Sequence, residues 1–100
     1  MRDFAAPRRV RNIRALATDS LGVALNWEPV PSDDLAGYRV YRSNTATGNY
    51  RPVSEALLSE TAWEDPEGKL GSWYHIRAVD ASGNESKPSN PACALSPKRP

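Results

Sequence analysis

From position 21 to 28 the chain alternates: Leu21, Val23, Leu25 and Trp27 are separated by Gly22, Ala24, Asn26 and Glu28. Successive side chains of a strand point to opposite faces, so this stretch buries one face and wets the other. Pro29 and Pro31 end it, because proline donates no ladder hydrogen bond and its fixed φ favours a turn. Ser32, Asp33 and Asp34 turn the chain, and a second alternating run starts at Tyr38 with Val40 on the same face. The pattern predicts two strands joined by a proline-rich corner and anchored by a buried Trp27.

The same reading extends in both directions. Arg8 to Ala17 mixes Arg8, Arg9, Arg11 and Arg14 with Val10, Ile13, Ala15 and Leu16. This predicts a first, edge-like strand whose arginines discourage pairing with other chains. Thr18, Asp19 and Ser20 form the turn that follows. After the polar stretch 43–49, Tyr50 and Val53 predict a short strand around Pro52, and a further strand runs from about Leu58 to Glu64 with Trp63 as its bulky residue. Asp65-Pro66-Glu67-Gly68 is a turn. Trp73 to Asp80 reads as a strand with Tyr74, Ile76 and Ala78 on one face and Trp73, His75, Arg77 and Val79 on the other. A last strand lies between about Glu85 and Leu95, interrupted by Pro88 and Pro91.

About seven short strands at regular spacing, with no useful helical period, predict an all-β fold. The architecture is an immunoglobulin-like sandwich of two antiparallel sheets. Residues 1–6 read as a flexible tail, 7–95 as the domain and 96–100 as a linker stub.

Composition narrows the function classes. With 13 basic and 12 acidic residues the net charge is +1, so no global field draws the chain to nucleic acid or an anionic membrane. No apolar run is long enough to span a bilayer. Cys93 is the one cysteine, which excludes an intrachain disulfide and a cysteine zinc cluster and predicts a free thiol in a monomer.

Three segments carry a family likeness: Val23-Ala24-Leu25-Asn26-Trp27-Glu28-Pro29, Leu35-Ala36-Gly37-Tyr38-Arg39-Val40-Tyr41-Arg42, and Ala78-Val79-Asp80-Ala81-Ser82-Gly83-Asn84-Glu85-Ser86. In this order and spacing the chain resembles a fibronectin type III domain, of the type found in bacterial secreted multidomain enzymes and surface proteins. The resemblance implies an extracellular or cell-surface location and flanking domains as partners. The family's corner tyrosine would fall on Ser72. Either that corner hydrogen bond is missing, or a short slip lets Tyr74 supply it. No Arg-Gly-Asp triplet and no Trp-Ser-x-Trp-Ser motif is present.

Candidate chemistry is sparse. His75, the one histidine, reads as a half-exposed strand residue, since no activated serine accompanies it. Asp33-Asp34, Glu64-Asp65 and Asp80 lack the spacing of an oxygen-ligand loop and read as turn caps, so no metal or other cofactor is expected. The arginines before Ile13 have only Phe4 as an aromatic companion and read as a solvated edge. Asn84-Glu85-Ser86 fits the glycosylation acceptor pattern but sits in a turn the fold needs. Trp73, Tyr41 and Tyr50 could show faces to solvent and are the candidate ligand-binding residues. Their positions on different strands predict dispersed rings. The sequence therefore supports a non-catalytic spacer or scaffold module of a larger protein. The alternative is a protein- or carbohydrate-binding module using loops or exposed aromatics.

Overall fold

A computed structural model describes residues 7–18, 22–54 and 56–96. The tail 1–6, Leu21 of the alternating stripe, the Asp19-Ser20 turn and positions 97–100 lie outside the described residues. Seven strands follow in order: β1 (Arg14–Ala17), β2 (Val23–Asn26), β3 (Leu35–Ser43), β4 (Arg51–Pro52), β5 (Ala62–Asp65), β6 (Trp73–Asp80) and β7 (Ala92–Cys93). They form a three-stranded sheet β1-β2-β5 facing a four-stranded sheet β4-β3-β6-β7, with every ladder antiparallel. The sandwich predicted from alternation is the observed architecture.

The alternating residues meet in the middle. Val23 and Leu25 of β2 face Tyr38 and Val40 of β3 and Tyr74, Ile76 and Ala78 of β6, all buried. Trp27 closes this core just past the end of β2. It is 4% exposed and meets Tyr38 edge-on, ring centres 5.5 Å apart and planes at 69°. The Tyr38 hydroxyl accepts from the Val30 amide at 2.9 Å, so the proline corner is tied to the same aromatic pair. Trp63 packs against the core from β5 but is only partly buried.

Several strands differ from expectation: β3 already starts at Leu35, β7 is confined to Ala92–Cys93, and the first and fifth start late. The first begins at Arg14, not Arg8. Asn12 adopts a left-handed φ of 56°, which breaks the extended alternation before it reaches the ladder. The fifth begins at Ala62, not Leu58. Leu58 instead exchanges both backbone bonds with Tyr38, each at 2.9 Å, and so belongs to the other sheet before the chain crosses over.

Prolines shorten β7, and serine hydroxyls supply acceptors where ladder carbonyls are missing. Ser89 and Ser86 offer their hydroxyls to the Ile76 and Ala78 amides, both at 2.9 Å, on either side of Pro88. Ser54 does the same for the Val40 amide at 3.0 Å on the β4 side. Buried amides are thereby satisfied where a ladder strand would otherwise be needed.

Past β7 the chain stitches the two sheets together. Leu95 bridges Leu16 in parallel: the Ala17 amide donates to the Leu95 carbonyl at 2.9 Å and the Leu95 amide to that of Ala15 at 3.1 Å. Because β1 and this segment run the same way, the described chain enters the sandwich at one pole and leaves at the other. The long axis of the molecule measures 52 Å.

Trp27→Ala removes the largest ring of the core and is expected to cost about 3–5 kcal/mol in denaturant melts. A loss below about 1 kcal/mol would mean that the two sheets close without it.

Candidate functional site

The outward face of β3 and β6 gathers most of the candidate side chains. Register pairs Tyr41 with His75, Arg39 with Arg77 and Ser43 with Trp73. Tyr50 folds back from the loop after β3, held by its hydroxyl donating to the Ala46 carbonyl at 2.8 Å. The result is a stack: His75 lies 4.9 Å from the Tyr41 ring and 4.4 Å from the Tyr50 ring, at tilts of 35° and 32°. Arg77 sits over Tyr41 at 5.4 Å. Tyr41 and Tyr50 therefore converge on His75, contrary to the dispersal predicted for them. Trp73 lies on the same sheet face, between Ser43 of β3 and Cys93 of β7, and is half-buried.

His75 is only 8% exposed, not the half-exposed strand residue that its position suggested. The cover comes from rings distant in sequence, which local alternation cannot register. Burial, and then the neighbouring Arg77 charge, lower its pKa to about 4, against partial support from Glu85. Its Nε2 has no hydrogen-bond partner. The ring thus behaves as an apolar plate. Glu85 closes the face, accepting from Arg39 at 2.6 Å and from the Tyr41 hydroxyl at 2.9 Å, with Arg77 at 3.8 Å. Burial and the bond to Glu85 raise the Tyr41 pKa, and burial raises that of Tyr50.

A second polar cluster, between the sheets, has no counterpart in the sequence reading. The Asp65 carboxylate, 3% exposed, accepts from Arg42 at 2.7 Å, from the Tyr74 hydroxyl at 2.8 Å and from the Glu67 amide at 3.2 Å. Asp65 ends β5 in one sheet, whereas Arg42 and Tyr74 belong to the other. Burial, then the bond to Asp65, drives the Tyr74 pKa strongly upward. Arg42 is also shifted up, the Asp65 carboxylate outweighing burial. Of the two readings left open for the corner, Tyr74 does send its hydroxyl back upstream, but onto the Asp65 side chain at the end of β5 and not onto the backbone. Gly68 makes this possible, since a Cβ there would press into the Tyr74 hydroxyl and lie 2.7 Å from Val23 Cγ2.

The acidic turns act as caps. Asp80 accepts from the Ser82 and Asn84 amides at 3.0 and 2.8 Å, and the Asn84 amide bond above all holds its pKa down. Asn84 Nδ2 donates to Asp80 at 3.1 Å and Ser86 is buried, so the acceptor pattern is engaged in the turn. Asp34 accepts from the Ser32 hydroxyl at 2.8 Å. Among the described residues no three metal-ligating side chains cluster.

These features define a fibronectin type III-like β-sandwich, the class suggested by the sequence. No family model matches the chain. A solved Fn3-like protein from Clostridium thermocellum superposes with a TM-score of 0.83 at 25% identity, over 96% of this chain and 99% of that one. An amylopullulanase of Thermoanaerobacterium thermosulfurigenes is 37% identical over 95 residues, and an alpha-amylase of Niallia circulans 30% over 99. Those matches cover 92% and 95% of this chain but only 5% and 7% of the relatives' lengths. The chain is similar to a small module within large multidomain proteins.

Two outcomes test this geometry. Asp65→Ala leaves Arg42 and Tyr74 without their shared acceptor and is expected to cost about 3–5 kcal/mol in denaturant melts; a cost near zero would show that the cluster does not join the sheets. His75 sets a pH window. Its folded pKa of about 4 lies below the ordinary 6.5, so the unfolded chain takes the proton first as pH falls. The stabilisation is complete above pH 6.5 and is lost between 6.5 and 4. Between pH 7 and 4.5 the protein should lose about 1–3 kcal/mol more than His75→Phe, which keeps a ring but cannot titrate. Equal losses would contradict the assignment.

Proposed function

We propose that this chain is a non-catalytic spacer that fixes the distance and orientation of flanking domains in a larger, extracellular or cell-surface protein. The observation that carries this reading is the parallel stitch of Leu95 to Leu16, which sends the chain out at the pole opposite its entry. Residues 7–95 are the module, and 1–6 and 96–100 the connecting chain. The names of its relatives, amylopullulanase and alpha-amylase, suggest that the larger protein acts on carbohydrate. The module itself is read as a monomer without metal or cofactor.

The binding-module alternative needs open ring faces for stacking. Tyr41 and Tyr50 each set one ring against His75, and Arg77 lies over Tyr41. Trp73 remains as a single half-buried ring. The spacer reading is the better supported.

Length alone would not distinguish a folded spacer from an unstructured linker. A Gly/Ser chain of about 90 residues has an end-to-end distance of about 50 Å, close to the long axis of this module. The difference lies in spread. With the chain placed between two spin-labelled reporter domains, pulsed electron resonance should give a narrow distance distribution, and a Gly/Ser linker of equal length a broad one. Equal widths would sink the spacer reading.

A further inference from the structure

Arg8, Arg9 and Arg11 are exposed and lie outside any strand, because β1 starts only at Arg14. They do not guard a ladder edge, the role their alternation with apolar residues suggested. The segment is nevertheless held in place. Val10 is buried, Ile13 packs on the core, and the Arg11 carbonyl accepts from the Glu28 amide at 3.0 Å. With its apolar residues taken up by the core, the segment leaves its arginines at the surface.

Open clefts flank the segment on both sides. One is shared with Lys87 and Asn90, the other with Glu28 and the Pro29–Pro31 corner. The ion pairs among the described residues join Arg39 and Arg77 to Glu85 and Arg42 to Asp65, and none involves Arg8, Arg9, Arg11 or Lys87. The whole chain carries only +1, so without these cations the remainder is net acidic. Within the two clefts Arg8, Arg9, Arg11 and Lys87 face the single carboxylate of Glu28, so positive charge is in local excess there and attracts an acidic group at short range.

We infer that the entry pole docks the acidic surface of another protein domain, with Arg8, Arg9 and Arg11 pairing its carboxylates. The planar guanidinium presents paired donors that match a carboxylate. No aromatic ring lines either cleft, whereas single-stranded nucleic acid is held by stacking on rings. The aliphatic and proline walls suit a protein surface instead. Naming the occupant as the domain on the amino-terminal side rests on the spacer reading, since the chain enters here. Exposed ion pairs are individually weak. An affinity of about 0.1–1 mM is enough, because a short tether raises the effective concentration to millimolar.

The test is an NMR titration of the ¹⁵N-labelled chain with a deca-glutamate peptide at physiological salt, with polyphosphate titrated in parallel. Saturating shifts should be confined to the amides of residues 8–13, Lys87 and Asn90. The triple variant Arg8→Gln, Arg9→Gln, Arg11→Gln should melt like the parent and bind at least fivefold more weakly, whereas Arg51→Gln on β4 should bind as the parent does. Shifts spread over the whole surface, or an unchanged affinity in the triple variant, would overturn the inference. So would polyphosphate binding tenfold more tightly than the peptide, which would identify a phosphate-polymer surface. The distance-distribution experiment does not depend on these arginines. A narrow distribution without binding sinks this inference alone, and a broad one with pole-specific binding sinks the spacer reading and leaves the acidic-surface docking in place.

Discussion

The Asp65 carboxylate binds three donors at once, and the alignment of the two sheets depends on it. Arg42 comes from β3, Tyr74 from β6 and the Glu67 amide from the turn that Asp65 itself opens. A carboxylate this buried is tolerable only when paired and hydrogen-bonded. The turn after β5 can therefore close only when the opposite sheet is in register to supply its donors. Gly68 follows from the same requirement, because the Tyr74 hydroxyl occupies the space a side chain would need. Such a pair adds little net stability over an apolar replacement. Its contribution is to make one alignment of the sheets better than its neighbours.

At the other end of the core, Trp27 and Tyr38 perform the matching task with apolar contact and one bond to the proline corner. Between these two anchors the interior is aliphatic, and its borders are finished by Ser54, Ser86 and Ser89. Prolines along the last segment limit further pairing at that border. The serines then restore the bonds that β3 and β6 would otherwise lack. Proline and serine work as a pair: one closes the sheet to outsiders, and the other removes the cost of closing it.

What was legible in the sequence is what depends on neighbours along the chain. The stripe from Val23 to Trp27 and the strand from Trp73 to Asp80 appear in the structure as read, including the inward face of Tyr74, Ile76 and Ala78. What was not legible depends on distant partners. Arg42 and Asp65 lie in different sheets, and no local period links them. His75 looked half-exposed because the rings that cover it come from β3 and from the loop after it. Arg8 to Ile13 looked like a strand because one left-handed residue, Asn12, leaves no trace in a hydrophobic pattern. The corner tyrosine was a choice between absence and Tyr74, and the bond Tyr74 makes is to the carboxylate of Asp65 in the opposite sheet, which no local pattern shows.

The placement of satisfied and unsatisfied groups bears on function. On the outer face of the larger sheet, rings stack on rings and Glu85 collects Arg39, Arg77 and the Tyr41 hydroxyl. The contacts within this face take up Glu85 and one side of each tyrosine ring. The ends differ. Arg8, Arg9 and Arg11 stand exposed at the entry pole, with no ion pair among the described residues, and Leu95, 60% exposed, lies where the chain leaves. Leu70 and Lys69 are exposed beside it, and Glu28 and the proline corner lie beside the arginines, so each pole combines charge with apolar surface.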